Sequence, residues 1–166
     1  MQLNYRLSGL PKEVRIFIAS FVVVLSVGFY TGLLFVNETS TASPNGIEEN
    51  YLGNEQDEDA EIMKFKKSDR EMLTIVHTHI LSMSLIFFLL GGLVWMTNIS
   101  DKAKLCLTVE PFLSVILTFG GIYFLWNGVV WMKYVVIISG ILMTFSFMLS
   151  SIVVLYTLVQ KPSPSH

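Results

Sequence analysis

Four long apolar runs constrain this chain more than any other feature. A helix needs roughly 20 consecutive, mostly apolar residues to cross a hydrocarbon core about 30 Å thick. Ile16–Val36, Met72–Thr97 and Tyr134–Val159 contain no Asp, Glu, Lys or Arg, and Val109–Trp126 contains only Glu110. Charged residues make up 14% of the sequence, against roughly a quarter in soluble domains. The expected fold is an all-α membrane protein. It is a four-transmembrane-helix bundle with one long acidic extramembrane loop over residues 37–71, in a single membrane domain covering residues 1–166. Helices buried in a soluble core are the competing reading. That reading fails because no amphipathic helices are present to surround such a core.

The first run has basic flanks at Arg6, Lys12 and Arg15. It exceeds the about 7–15 residues of a signal-peptide core and no A-x-A-like site follows, so a retained helix is expected. Arg6, Lys12, Arg15, Lys102, Lys104 and Lys161 fall on one side of the membrane, and Lys64, Lys66, Lys67, Arg70 and Lys133 on the other. This slight excess and the basic flank of the first helix place both termini in the cytoplasm and the acidic loop in the periplasm. Tyr123, Trp126, Trp131 and Tyr134 bracket the third connection at headgroup level, and Asn127-Gly128 marks a tight turn within it.

Lipid tails are as apolar as leucine, so small residues rather than burial must bring membrane helices together. Gly28 and Gly32 form a GxxxG in the first span, Gly91 and Gly92 lie in the second, and Gly120 and Gly121 in the third. Ser139, Gly140, Ser146 and Ser150 give the fourth span its small residues. These positions predict an intrachain bundle. The Gly28–Gly32 pair offers a second use, as a homo-oligomer seam.

Ten of the thirteen acidic residues fall between Glu38 and Glu71. Thr39–Gly46, rich in Ser, Thr, Pro, Asn and Gly, predicts irregular structure. The Glu55–Glu61 run lacks the D-x-[DN]-x-[DN]-G calcium pattern and reads as a solvated surface. Ser68 and Glu71 have the spacing of a capping box, which predicts that the second helix starts before the hydrocarbon does.

Ionisable residues inside a membrane helix are costly and default to a functional hypothesis. His77 and His79 are therefore the candidate haem b or metal ligands. Two residues apart on an α-helix, they point about 200° apart and cannot chelate one metal together. Met83 lies four residues beyond His79, on the same face, and is the candidate second haem ligand. A bis-His haem needs a His from another subunit, because the remaining spans contain none. Glu110, beside Pro111, reads as an acid in the first turn of the third span, favoured there by the helix dipole.

No P-loop, G-x-S-x-G, H-E-x-x-H or Cys/His metal pattern is present, which points away from an enzyme. The single Cys106 excludes an intrachain disulfide. A formal net charge of −2 argues against nucleic acid as a partner. One further pattern is Gly46-Ile47-Glu48-Glu49-Asn50-Tyr51-Leu52-Gly53, then Lys67-Ser68, Glu71 and His77-Thr78-His79-Ile80-Leu81-Ser82-Met83, with Phe87 and Gly91. It resembles a group of small bacterial four-helix inner-membrane proteins with His-x-His at the start of the second helix, to which no activity is attached. The resemblance implies a bacterial inner-membrane location and a link between the loop and the His helix. The leading expectation is a non-enzymatic accessory or interaction subunit of an envelope complex, its partners being the lipid bilayer and a membrane protein or a second copy of itself. The alternatives are a haem b or metal-binding electron-transfer subunit, and a small channel or transporter.

Overall fold

A computed structural model describes residues 6–40, 43–55 and 62–160. Among these residues the chain forms five α-helices and a single 3-10 turn, Leu7–Gly9. The helices are α1 (Lys12–Ser40), α2 (Pro44–Leu52), α3 (Asp69–Trp95), α4 (Asp101–Trp126) and α5 (Met132–Val159). Helices α1, α3, α4 and α5 are each long and apolar enough to cross a membrane. The acidic run beyond Glu55, residues 56–61, lies outside the described residues.

The helix starts follow local chemistry. Ser68 and Glu71 make the expected reciprocal capping box at the start of α3. Ser100 caps α4, its side chain accepting from the backbone N–H of Ala103, with Asp101 in the first turn. Gly128, at φ +97°, closes the tight turn between α4 and α5.

Two expectations are corrected here. Thr39–Gly46 is not irregular throughout: α1 continues to Ser40, and α2 opens at Pro44. Ser43 Oγ accepts from the N–H of Gly46 at 3.0 Å, and Pro44 sits in the first turn, where its missing N–H costs nothing. The third span does not start near Val109 but at Asp101. Lys104 pairs with Asp101 at 3.5 Å and lies over the Trp95 ring, so its charge stays at the interface while its backbone is already helical. Glu110 and Pro111 are therefore inside the helix, not in its first turn.

Consecutive membrane helices run antiparallel. The most extensive contact joins α4 to α5, followed by α3 to α4. Buried Leu90, Val94, Val115, Phe119, Ile122, Val136, Phe147 and Val154 fill the interior. α1 runs beside α5. It is held where Phe29 stacks on Phe147, with ring centroids 3.9 Å apart, and where the Arg15 guanidinium donates to the carbonyls of Leu158 and Gln160. Those carbonyls end α5, where a cation is also favoured by the helix dipole.

Candidate functional site

Three regions carry polar chemistry: the loop end of the bundle, the outer face of α3, and the seam between α4 and α5.

At the loop end, α2 packs against α1, α4 and α5, with Ile47 buried. Lys133 Nζ donates to Glu48 Oε2 at 2.6 Å. Burial pushes the Tyr51 hydroxyl above its ordinary pKa, partly offset by a hydrogen bond with Asn50. Both arms of the connector are tied together. Asn54 N–H donates to Lys64 O (2.9 Å), Asn54 Oδ1 accepts from Lys64 N–H (2.6 Å), and Lys67 N–H donates to Tyr51 O (3.2 Å). Gly53 is required there. Its φ is +82°, and a Cβ would come within 2.7 Å of the Lys66 backbone nitrogen. Trp126 Nε1 donates to Lys67 O at 2.8 Å, and Lys66 Nζ lies 5.0 Å from the centroid of the same ring. The connector therefore sits as a tethered cap on α4.

On α3, His77 is exposed in a shallow surface depression beside Asp69, Arg70, Leu73, Thr74 and Thr78. His79 is directed otherwise. Its ring stacks on Phe119 at 4.8 Å, and its Nδ1 lies 2.7 Å from the carbonyl of Ile75. A nitrogen that meets a carbonyl must carry the proton, which leaves Nε2 with the lone pair in the neutral ring. Met83 is half-buried and packs against the core. Among the described residues no group of three His, Cys, Asp or Glu could hold a metal ion.

The seam between α4 and α5 was not legible as a site in the sequence. Glu110 accepts hydrogen bonds at both carboxylate oxygens, Oε1 from Ser114 of its own helix and Oε2 from Ser146 of α5. Two turns along, the hydroxyls of Thr118 and Ser139 meet at 2.7 Å, both buried. Glu110, Ser114 and Thr118 are spaced i, i+4, i+8, which sets them along one face of α4. That period was a readable signal, obscured by placing Glu110 at the helix end. Beside this row, a Cβ on Gly121 would come within 2.9 Å of Val136 Cγ2, and one on Gly91 within 3.2 Å of Thr108 Cγ2. Gly28, Gly32, Gly92 and Gly120 have nothing within 4 Å of that position.

A family model describing a transmembrane helical domain, Aq_1264_TM, matches residues 41–165, three quarters of the chain. The chain belongs to this family. The matched segment holds α2 to α5, and so contains the cap, the His helix and the α4–α5 seam, whereas α1 precedes it. Neither a curated protein nor a solved structure shows a significant match. The family domain is thus a multi-pass helical bundle in a lipid bilayer, and its description names no activity.

Proposed function

We propose that the chain is a non-enzymatic accessory subunit of a bacterial inner-membrane complex, and that α1 is its docking element. The observation that carries this reading is the exposure of α1, whose contacts among the described residues are mainly with α5 and α2. Only 6% of its most apolar stretch is buried, against 11% for α3, 44% for α4 and 39% for α5. Lipid can cover an apolar helix, so exposure alone requires no partner. The close-approach surface at Gly28 and Gly32 is different, because small residues that admit another backbone gain nothing from lipid. The proposal sets both termini in the cytoplasm and α2 on the periplasmic side.

Purification of the full chain in mild detergent tests the reading. The expected result is a stoichiometric complex, with a second protein or with a second copy, that dissociates in Gly28→Leu and Gly32→Leu variants. A monomer in detergent, without cross-links in native membranes, sinks it. The visible spectrum of the same sample tests the haem b alternative. A Soret band lost in His77→Ala or His79→Ala would replace docking with electron transfer as the leading role.

A further inference from the structure

Glu110 lies nine residues after the first residue of α4, and Trp126 ends the helix sixteen residues later. At 1.5 Å per residue it is ~14 Å from one end and ~24 Å from the other. A hydrocarbon core about 30 Å thick, centred on this helix, therefore encloses Glu110 about 10 Å below its nearer surface. An ionised carboxylate at that depth needs a counter-ion. No ion pair among the described residues supplies one. Besides Glu110, the charged residues of α4 are Asp101, Lys102 and Lys104, all in the first turn, and its other titratable groups are the exposed Cys106 and, near the far end of the helix, Tyr123. α5 carries no titratable residue between Tyr134 and Tyr156, nor does α3 between His79 and its end. α1 offers Tyr30, next to the Phe29 that stacks on Phe147; Lys12, Glu13 and Arg15 lie in its first turn, with Arg15 committed to the end of α5, and Glu38 lies near its other end.

We propose that Glu110, Ser114 and Ser146 form a proton-binding site within the bilayer that bridges α4 and α5. The hydroxyls suit both protonation states, because a serine can donate and accept. In the ionised state both hydroxyls donate to the carboxylate, through the two contacts that join Ser114 and Ser146 to Glu110. When a proton arrives from water it bonds to one carboxyl oxygen, Oε2, and is donated to Ser146 Oγ. The Ser146 hydroxyl then turns to the carbonyl four residues back on its own helix, at Leu142. Ser114 continues to donate to Oε1. One proton is gained, and neither state leaves a polar group unpaired. An arginine or lysine partner would hold the acid ionised permanently. Two hydroxyls leave it free to exchange, and each exchange alters the bond that joins the two most closely packed helices.

The test is labelling of the full-length protein in liposomes with dicyclohexylcarbodiimide. This apolar reagent takes up a protonated carboxyl by addition of its O–H across a C=N bond, with no further reactant. Peptide mass mapping is expected to find the adduct at Glu110 and none there in Glu110→Gln. The labelling rate is expected to fall as the pH is raised, because the reagent consumes only the acid form. A carboxylic-acid C=O band in pH-difference infrared spectra, absent in Glu110→Gln, supports the same conclusion without the reagent. An unlabelled Glu110 with no such band overturns the proposal. So does labelling suppressed by sodium at fixed pH, which makes the site a metal-cation site instead.

Discussion

α1 and the α4–α5 pair are built from similarly apolar sequence and behave differently. α1 has the more obvious association motif, Gly28 and Gly32, and neither glycine is used as a close contact among the described residues. The α4–α5 pair has no GxxxG, yet forms the largest contact in the molecule, with Gly121 against Val136, Thr118 bonded to Ser139, and Glu110 bonded to Ser146. Apolar content settles that a helix resides in the bilayer and says little about its neighbours. Within hydrocarbon, the choice of neighbour falls to groups that lipid cannot satisfy: hydroxyls, a carboxyl, and backbones able to approach closely.

The contrast can be attacked with variants followed by reversible unfolding in mixed micelles, using circular dichroism. The largest loss is expected for Gly121→Leu, which overfills the contact with Val136 and costs about 1–3 kcal/mol. An unchanged midpoint would mean that α4 and α5 are not closely packed there. Trp126→Phe keeps the ring but loses the donor to Lys67 O, and a drop of about 1 kcal/mol is expected. If stability is unaffected, the connector is not a tethered cap. Thr118→Val removes one member of the buried hydroxyl pair at nearly constant shape. A cost of about 0.6 kcal/mol is typical of hydrogen bonds between membrane helices, and a gain in stability would show that the polar row is not cohesive. Gly28→Leu should alter unfolding least, by less than about 0.5 kcal/mol. A larger loss would show that α1 packs into its own chain, and would remove the contrast altogether.

Much of the fold was legible because membrane constraints are strong. Seven of the eight helix ends fall within four residues of the expected span limits, and the Ser68–Glu71 box and the Asn127-Gly128 turn are present. The errors share one cause, the use of composition as a boundary. Lys102 and Lys104 are charged yet already helical, so α4 begins eight residues before the expected Val109 and holds Glu110 in its interior. Ser43 before Pro44 was read as loop composition, although a capping serine followed by proline is also a helix start. The His-x-His, the most conspicuous chemistry in the sequence, lies apart: His77 faces outward and His79 rests on Phe119.

The sequence by itself determined the number of membrane helices and the capping box that begins α3. Those properties depend on residues within one helical turn or within one apolar run, where bilayer thickness and backbone hydrogen bonding leave few alternatives. Only the tertiary structure decided which helices are partners, which glycines are used, and that a carboxyl group meets hydroxyls from two helices inside the bilayer. Ser146 and Glu110 are 36 residues apart. Their encounter depends on the rotation and register of two helices, which no local pattern encodes.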